Sequence, residues 1–329
     1  MAFATAQALR MLPLGVYFAM VKIERILFPT NLSMESDEAL RYAIALAGAY
    51  DATLLMLHCI DAKQTAQNAY INTDASRSLE QAFMRHSSLP LAHKVTRKPL
   101  IIQDVLDVGD TISYQAKLHR ADLIVMRSRR RPRAAVLLGS TAEMVSKTAP
   151  CPVLITHPNE TEWVGLSGEI DLHRILIAHD FSPDSELALR YGCSLAQEYQ
   201  AELHLLNVTE SRGQSEPELA WSSSDAYSFL AGKLQRAFPN EASLWCNIVN
   251  SVRTGKPYEQ VLDYAKEQKI ELICMGASGR DWSLDKLLGS NVDRVLRQAP
   301  CPVLVARPTK YASSVPENMT DFSATSYVY

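Results

Sequence analysis

Apolar residues in this chain fall into short unbroken runs, separated by stretches with helical spacing. In the second half "ILIA", residues 175–178, carries no polar alternation, as expected of a strand covered on both faces. "SPDSELALRYGCSLAQEY" follows, with Ser182 as N-cap, Pro183 at the first helical position and apolar residues recurring at three and four. The pattern continues as a strand ("AELHLLNV"), a helix ("PYEQVLDYAKEQK"), a strand ("LICMG"), a helix ("NVDRVLRQ") and a strand ("PVLVA"). Strand–helix alternation of this kind predicts a parallel, doubly wound α/β sheet.

The same pattern occurs twice. "RILFPTNLS" at 25–33 matches "RILIAHDFS" at 174–182, and "ALRYAIALA" at 39–47 matches "ALRYGCSLA" at 188–196. "DLIVM" at 122–126 matches "ELICM" at 271–275, and "APCPVLIT" at 149–156 matches "APCPVLVA" at 299–306. Offsets of 149, 149, 149 and 150 residues, in one order, mark an internal duplication. The expected layout is an extension (1–20), a first domain (21–157), a polar linker (158–173), a second domain (174–308) and a disordered tail (309–329). Met20 reads as the natural start. An export signal is the rival reading of "MLPLGVYFAM", but no small-x-small cleavage site precedes the strand.

Composition adds exclusions. With 47% apolar and 21% charged residues and a net charge of −3, nothing draws the chain toward nucleic acid or membrane. Six scattered cysteines without a C-x-x-C pair suit a reducing, cytoplasmic setting.

Candidate chemistry lies at strand ends. Gly276 and Gly279 follow "LICM" at the rim where open parallel sheets take ligands, and Gly289–Ser290 opens the next helix. Bare backbone and free helix amides can cradle phosphate; two turn glycines and a capping serine are the plainer reading. His179 is a candidate base or an ordinary rim residue. Cys151 and Cys301 read as inert core thiols, and "RSRRRPR" at 127–133 as a solvated loop or an anion grip.

M-G-x-x-G, nine residues, G-S and then "APCPVLV", together with "ILIAHDFS" and Gly255, resembles the universal stress protein family over residues 21–308. The resemblance implies two Rossmann-like domains, each a five-stranded parallel sheet with helices on both faces. It implies ATP, with or without Mg2+, on Gly276, Gly279, Gly289 and Ser290. Asp180 would stand at the adenine–ribose end and the Val208 backbone at adenine. Ala178, Met275, Asn291 and Val292 complete the implied site. The first repeat departs from this pattern: Arg127 and Arg130 replace the glycines, eight residues separate Arg130 from Gly139, and Asn31 replaces the aspartate. Gly109 also lies 17 residues before Met126, against 20 between Gly255 and Met275, and is taken as a shift of the preceding glycine.

The expected function is a stress-response sensor or regulator holding one adenine nucleotide in the second repeat. A slow ATP hydrolase or phosphotransferase, with Lys286 unplaced, and a ligand-free scaffold are the alternatives. The family pairs through its last strand, so the repeats are expected to form an intramolecular pseudo-dimer, with homodimer formation left open.

Overall fold

A computed structural model describes residues 21–61, 71–128, 138–157, 161–165, 168–210, 223–238, 246–279 and 288–308. The expected extension (1–20), the tail (309–329), Arg130 and Lys286 lie outside the described residues.

The first repeat runs β1 (Arg25–Thr30), α1 (Met34–Tyr50), β2 (Thr53–Asp61), α2 (Ile71–Met84), β3 (Arg97–Val105), α3 (Val108–Leu118), β4 (Leu123–Arg127), α4 (Ser140–Thr148) and β5 (Val153–Thr156). The second runs β6 (Arg174–Ala178), α5 (Pro183–Tyr199), β7 (Glu202–Thr209), α6 (Ser223–Ala237), β8 (Ile248–Thr254), α7 (Pro257–Glu267), β9 (Leu272–Gly276), α8 (Ser290–Gln298) and β10 (Val303–Ala306).

Local chemistry repeats along with the pattern. Ser33 and Ser182 cap α1 and α5 by accepting the N–H of Ser36 and Ser185, satisfying a donor that the helix start would leave orphaned. Asp122 accepts the N–H groups of Glu24 and Arg25 at 2.8 and 2.9 Å, and Glu271 those of His173 and Arg174 at 2.6 and 3.0 Å. One carboxylate thus ties the start of β4 to β1, and another ties β9 to β6.

Among the described residues ten strands form one sheet, in the order β3-β2-β1-β4-β5-β10-β9-β6-β7-β8. Pairing is parallel within each repeat. It is antiparallel only where β5 meets β10, with Leu154 opposite Leu304. Segments 153–156 and 303–306 therefore lie side by side. Helices α1, α2, α5 and α6 cover one face and α3, α4, α7 and α8 the other, and each apolar core runs through both repeats.

The connecting stretch is more than a tether. Trp163 is fully buried and packs edge-on against Tyr42, ring centroids 4.9 Å apart, while Arg41 donates to the Val164 carbonyl and to Glu162. Burying an indole of this size is worth about 2–3 kcal/mol relative to leaving it exposed.

Candidate functional site

In the second repeat β6 and β9 sit side by side and their connections leave in opposite directions along the sheet. This is the switch point at which a doubly wound sheet opens a crevice beyond its strand ends. Ala178 pairs with Met275 in register at that rim.

Beyond β6 the chain turns sharply. Asp180 Oδ1 accepts the Ser182 N–H at 3.0 Å and its hydroxyl at 2.5 Å, and Phe181 takes a left-handed φ of 64°. The other oxygen, Oδ2, lies 3.0 Å from where a Cβ on Gly279 would stand. Residue 279 is therefore bare backbone facing a carboxylate, and a larger side chain there must displace Asp180 or fill the crevice.

Gly276 has a different reason to be glycine. A Cβ there would come within 2.6 Å of the Asp184 carbonyl carbon and 2.7 Å of the Ser185 nitrogen. The first turn of α5 rests directly on it, so close packing accounts for this glycine without a ligand. Asp184 Oδ2 then accepts the Ser278 N–H at 3.1 Å and its hydroxyl at 2.6 Å, fixing the loop between the two glycines. Sequence reasoning missed Asp184, because an acid in the first turn of a helix looks like ordinary dipole complementation. Its partner lies 94 residues away.

Gly289 caps α8 without a side-chain hydrogen bond, and its N–H donates to the Ala277 carbonyl at 2.9 Å. The start of α8 is thereby tied to the glycine loop. Ser290 is exposed, Asn291 partly so, and the Val292 side chain is buried in the core, leaving its backbone for any ligand. Val208 is half-buried near the end of β7. Gly255 has a φ of 141°, a conformation open essentially to glycine alone. Around this rim Lys233 lies over the Phe181 ring at 4.0 Å, and Arg294 over Tyr258 at 4.6 Å.

His179 is buried and both ring nitrogens are engaged. Nδ1 accepts the Phe181 N–H at 3.3 Å, so Nε2 carries the proton and donates to Glu186 at 3.2 Å. Burial holds its pKa below the usual histidine value, against the pull of Glu186 and Asp180. These bonds give the ring a structural job in the turn. Cys151 and Cys301 are fully buried, and burial pushes the Cys151 thiol up, away from reactivity. No group of three or more His, Cys, Asp or Glu side chains is arranged to hold a metal among the described residues.

The first repeat keeps the turn but not the glycine loop. Asn31 Oδ1 accepts the Ser33 N–H at 3.3 Å and hydroxyl at 2.8 Å, and Leu32 takes a φ of 62°, so the amide serves the turn as Asp180 does. Arg127, in the place of Gly276, turns its side chain to an ion pair with Glu38 of α1. Gly139 starts α4 at a φ of 93°, whereas Gly289 starts α8 at −58°.

One sequence alignment needs correcting. Helices α3 and α7 begin at Val108 and Pro257, so the 149-residue offset is unbroken and the residue in the place of Gly255 is Leu106, not Gly109. Gly109 lies inside α3 because Met144 covers it: a Cβ there would meet the Met144 Cβ at 2.6 Å. Tyr258 and Arg294 hold the equivalent places in the second repeat.

Comparison with known proteins agrees with this architecture. The universal stress protein family matches twice, over residues 22–157 and 172–307. A universal stress protein of Mycolicibacterium smegmatis is 25% identical over 305 residues, covering 86% of this chain and 97% of the relative. A universal stress protein of Methanocaldococcus jannaschii is 26% identical over 152 residues, covering 44% of this chain and 87% of its own length. Among solved structures, a universal stress protein from Archaeoglobus fulgidus superposes with a TM-score of 0.61 at 21% identity, covering 87% of this chain and 98% of that one. A functionally unknown protein from Pseudomonas aeruginosa gives 0.62 at 17% identity, covering 88% and 95%. With both halves matched and one relative spanning nearly the whole chain, this protein belongs to the universal stress protein family, as a tandem member carrying two such domains.

Proposed function

We propose that this chain is a nucleotide-responsive stress regulator whose second repeat binds one adenine nucleotide, ATP with or without Mg2+. The observation that carries this reading is the pairing of Asp180 with bare Gly279, 3.0 Å from carboxylate oxygen to virtual Cβ, across the switch point of the sheet. The Asp180 oxygen that faces Gly279 suits hydroxyl or amine donors of the nucleoside end. The amides at the start of α8, reached past Gly289 and Ser290, suit the phosphates, where the helix dipole favours negative charge. Backbone at Ala178, Val208, Met275, Gly276, Asn291 and Val292 would line the remainder.

A route from site to readout supports the regulatory half of the reading. Helix α8 starts at the glycine loop and ends against the first repeat. The Leu296 carbonyl there is bonded to His157 at 2.6 Å, and Arg297 reaches Glu143 at 3.2 Å. The first repeat, with Arg127, Leu106 and Asn31 in its site, is proposed as the partner of an intramolecular pseudo-dimer closed by β5 and β10. A catalytic reading gains little from His179, whose nitrogens serve the turn. Mass spectrometry of the purified, denatured chain tests the proposal. An adenine nucleotide recovered from the wild type and absent from Gly279→Arg supports it. No nucleotide, and no binding of added ATP, overturns it.

A further inference from the structure

Helix α3 of the first repeat exposes apolar side chains that the second repeat does not. Leu106, just before the helix, is 97% exposed, Tyr114 61% and Leu118 48%. Tyr114 and Leu118 are one turn apart on the outward face. The structurally equivalent residues of α7, at the same offset, are Asp263 and Glu267, both exposed. Two copies of one helix thus differ in kind on the surface that faces away from the fold. This apolar stripe accompanies the repeat in which Arg127 stands in the place of Gly276.

Charge on the stripe says what covers it. Exposed Asp107 and Asp110 stand at the start of α3, and exposed Lys117 and Arg120 at its end. We infer that α3 docks antiparallel on α3 of a second copy of this chain. A twofold axis between Ser113 and Tyr114 sets Asp110 against the second copy's Lys117, and in the same register Asp107 against its Arg120. One placement therefore satisfies both ion pairs and brings Tyr114 next to the axis, as a self-complementary interface requires. The same register applied to α7 keeps one ion pair, Glu259 against Lys266, but puts Lys256 against Lys269 and sets Asp263 near its own copy where α3 has Tyr114. The α7 face has two acids, Asp263 and Glu267, where α3 has its tyrosine and leucine, so the apolar contact is specific to the first repeat. The tyrosine and leucine supply the attraction, and the exposed charges chiefly fix orientation.

This dimer stands independently of nucleotide binding. Sedimentation equilibrium of the full chain across a wide concentration range tests it. The wild type self-associates weakly, and Tyr114→Asp, which copies the second repeat, raises the dissociation constant about tenfold or more. Asp110→Lys and Lys117→Asp each weaken association, and the two combined in one chain restore it, because the swapped charges again face each other across the axis. A chain that stays monomeric throughout overturns the inference. So does a dimer that ignores Tyr114→Asp, or a charge swap that fails to recover; either places the contact elsewhere, as on the edge strand β3.

Discussion

His157 and Arg307 occupy equivalent places after β5 and β10, and each reaches into the other repeat to hold a helix end. His157 Nε2 lies 2.6 Å from the Leu296 carbonyl at the end of α8. Arg307 donates to the carbonyls of Lys147, Ala149 and Ser146, at the end of α4, at 2.9, 3.2 and 2.5 Å. Carbonyls at a helix end have no partner within the helix, and a donor at that end also meets the negative pole of the dipole. The two repeats are thus tied by exchanged caps as well as by the β5–β10 ladder.

Breaking either cap should loosen the junction. His157→Ala removes one buried bond, with an expected loss of about 1–3 kcal/mol. Arg307→Ala removes a charged donor serving three carbonyls and should cost more than the histidine variant, because three carbonyls lose a partner instead of one. Urea unfolding of both variants checks the order. Equal, negligible losses would mean that the ladder alone holds the repeats together.

The glycine loop should separate stability from binding. Gly276→Ala drives a methyl into the backbone of α5 and should destabilise by about 1–3 kcal/mol, the usual cost of overpacking. Gly279→Ala meets only the movable Asp180 carboxylate and should leave the unfolding midpoint close to wild type. Thermal unfolding without nucleotide compares the pair.

Acid should weaken the fold before its carboxylates titrate. Burial lowers the pKa of His179, His204, His86 and His119 in the native state. Around His179, Glu186 and Asp180 pull the value up and Lys233 pushes it down, and burial prevails. An unfolded histidine titrates near 6.5. Above that pH neither state is protonated and stability is at its full value; below it the unfolded chain binds protons that the native histidines refuse, so stability falls with pH. Urea midpoints should decline from neutral pH toward pH ~5, and less steeply in His179→Gln. A flat profile over that window would contradict the burial of these rings.

Much of the architecture was legible because duplication repeats every signal. Uninterrupted apolar runs marked the strands, Ser182 and Pro183 a helix start, and the constant offset the two domains. The candidate site was legible only as a motif, because contacts between distant segments carry no local signature. That Gly276 serves α5, that Asp184 anchors Ser278, and that Arg127 pairs with Glu38 are facts of packing between β9 or β4 and a helix about 90 residues earlier in the chain. Gly109 misled for the same reason: a glycine near the expected place was matched by type, while register assigns that place to Leu106.

Titration calorimetry with ATP tests the central claim most directly. The wild type should bind one nucleotide per chain, Gly279→Arg should abolish binding by filling the space before Asp180, and Arg130→Gly should not create a second site. Two nucleotides per chain, or tight binding that survives Gly279→Arg in a folded protein, would contradict the assignment of the site to the second repeat.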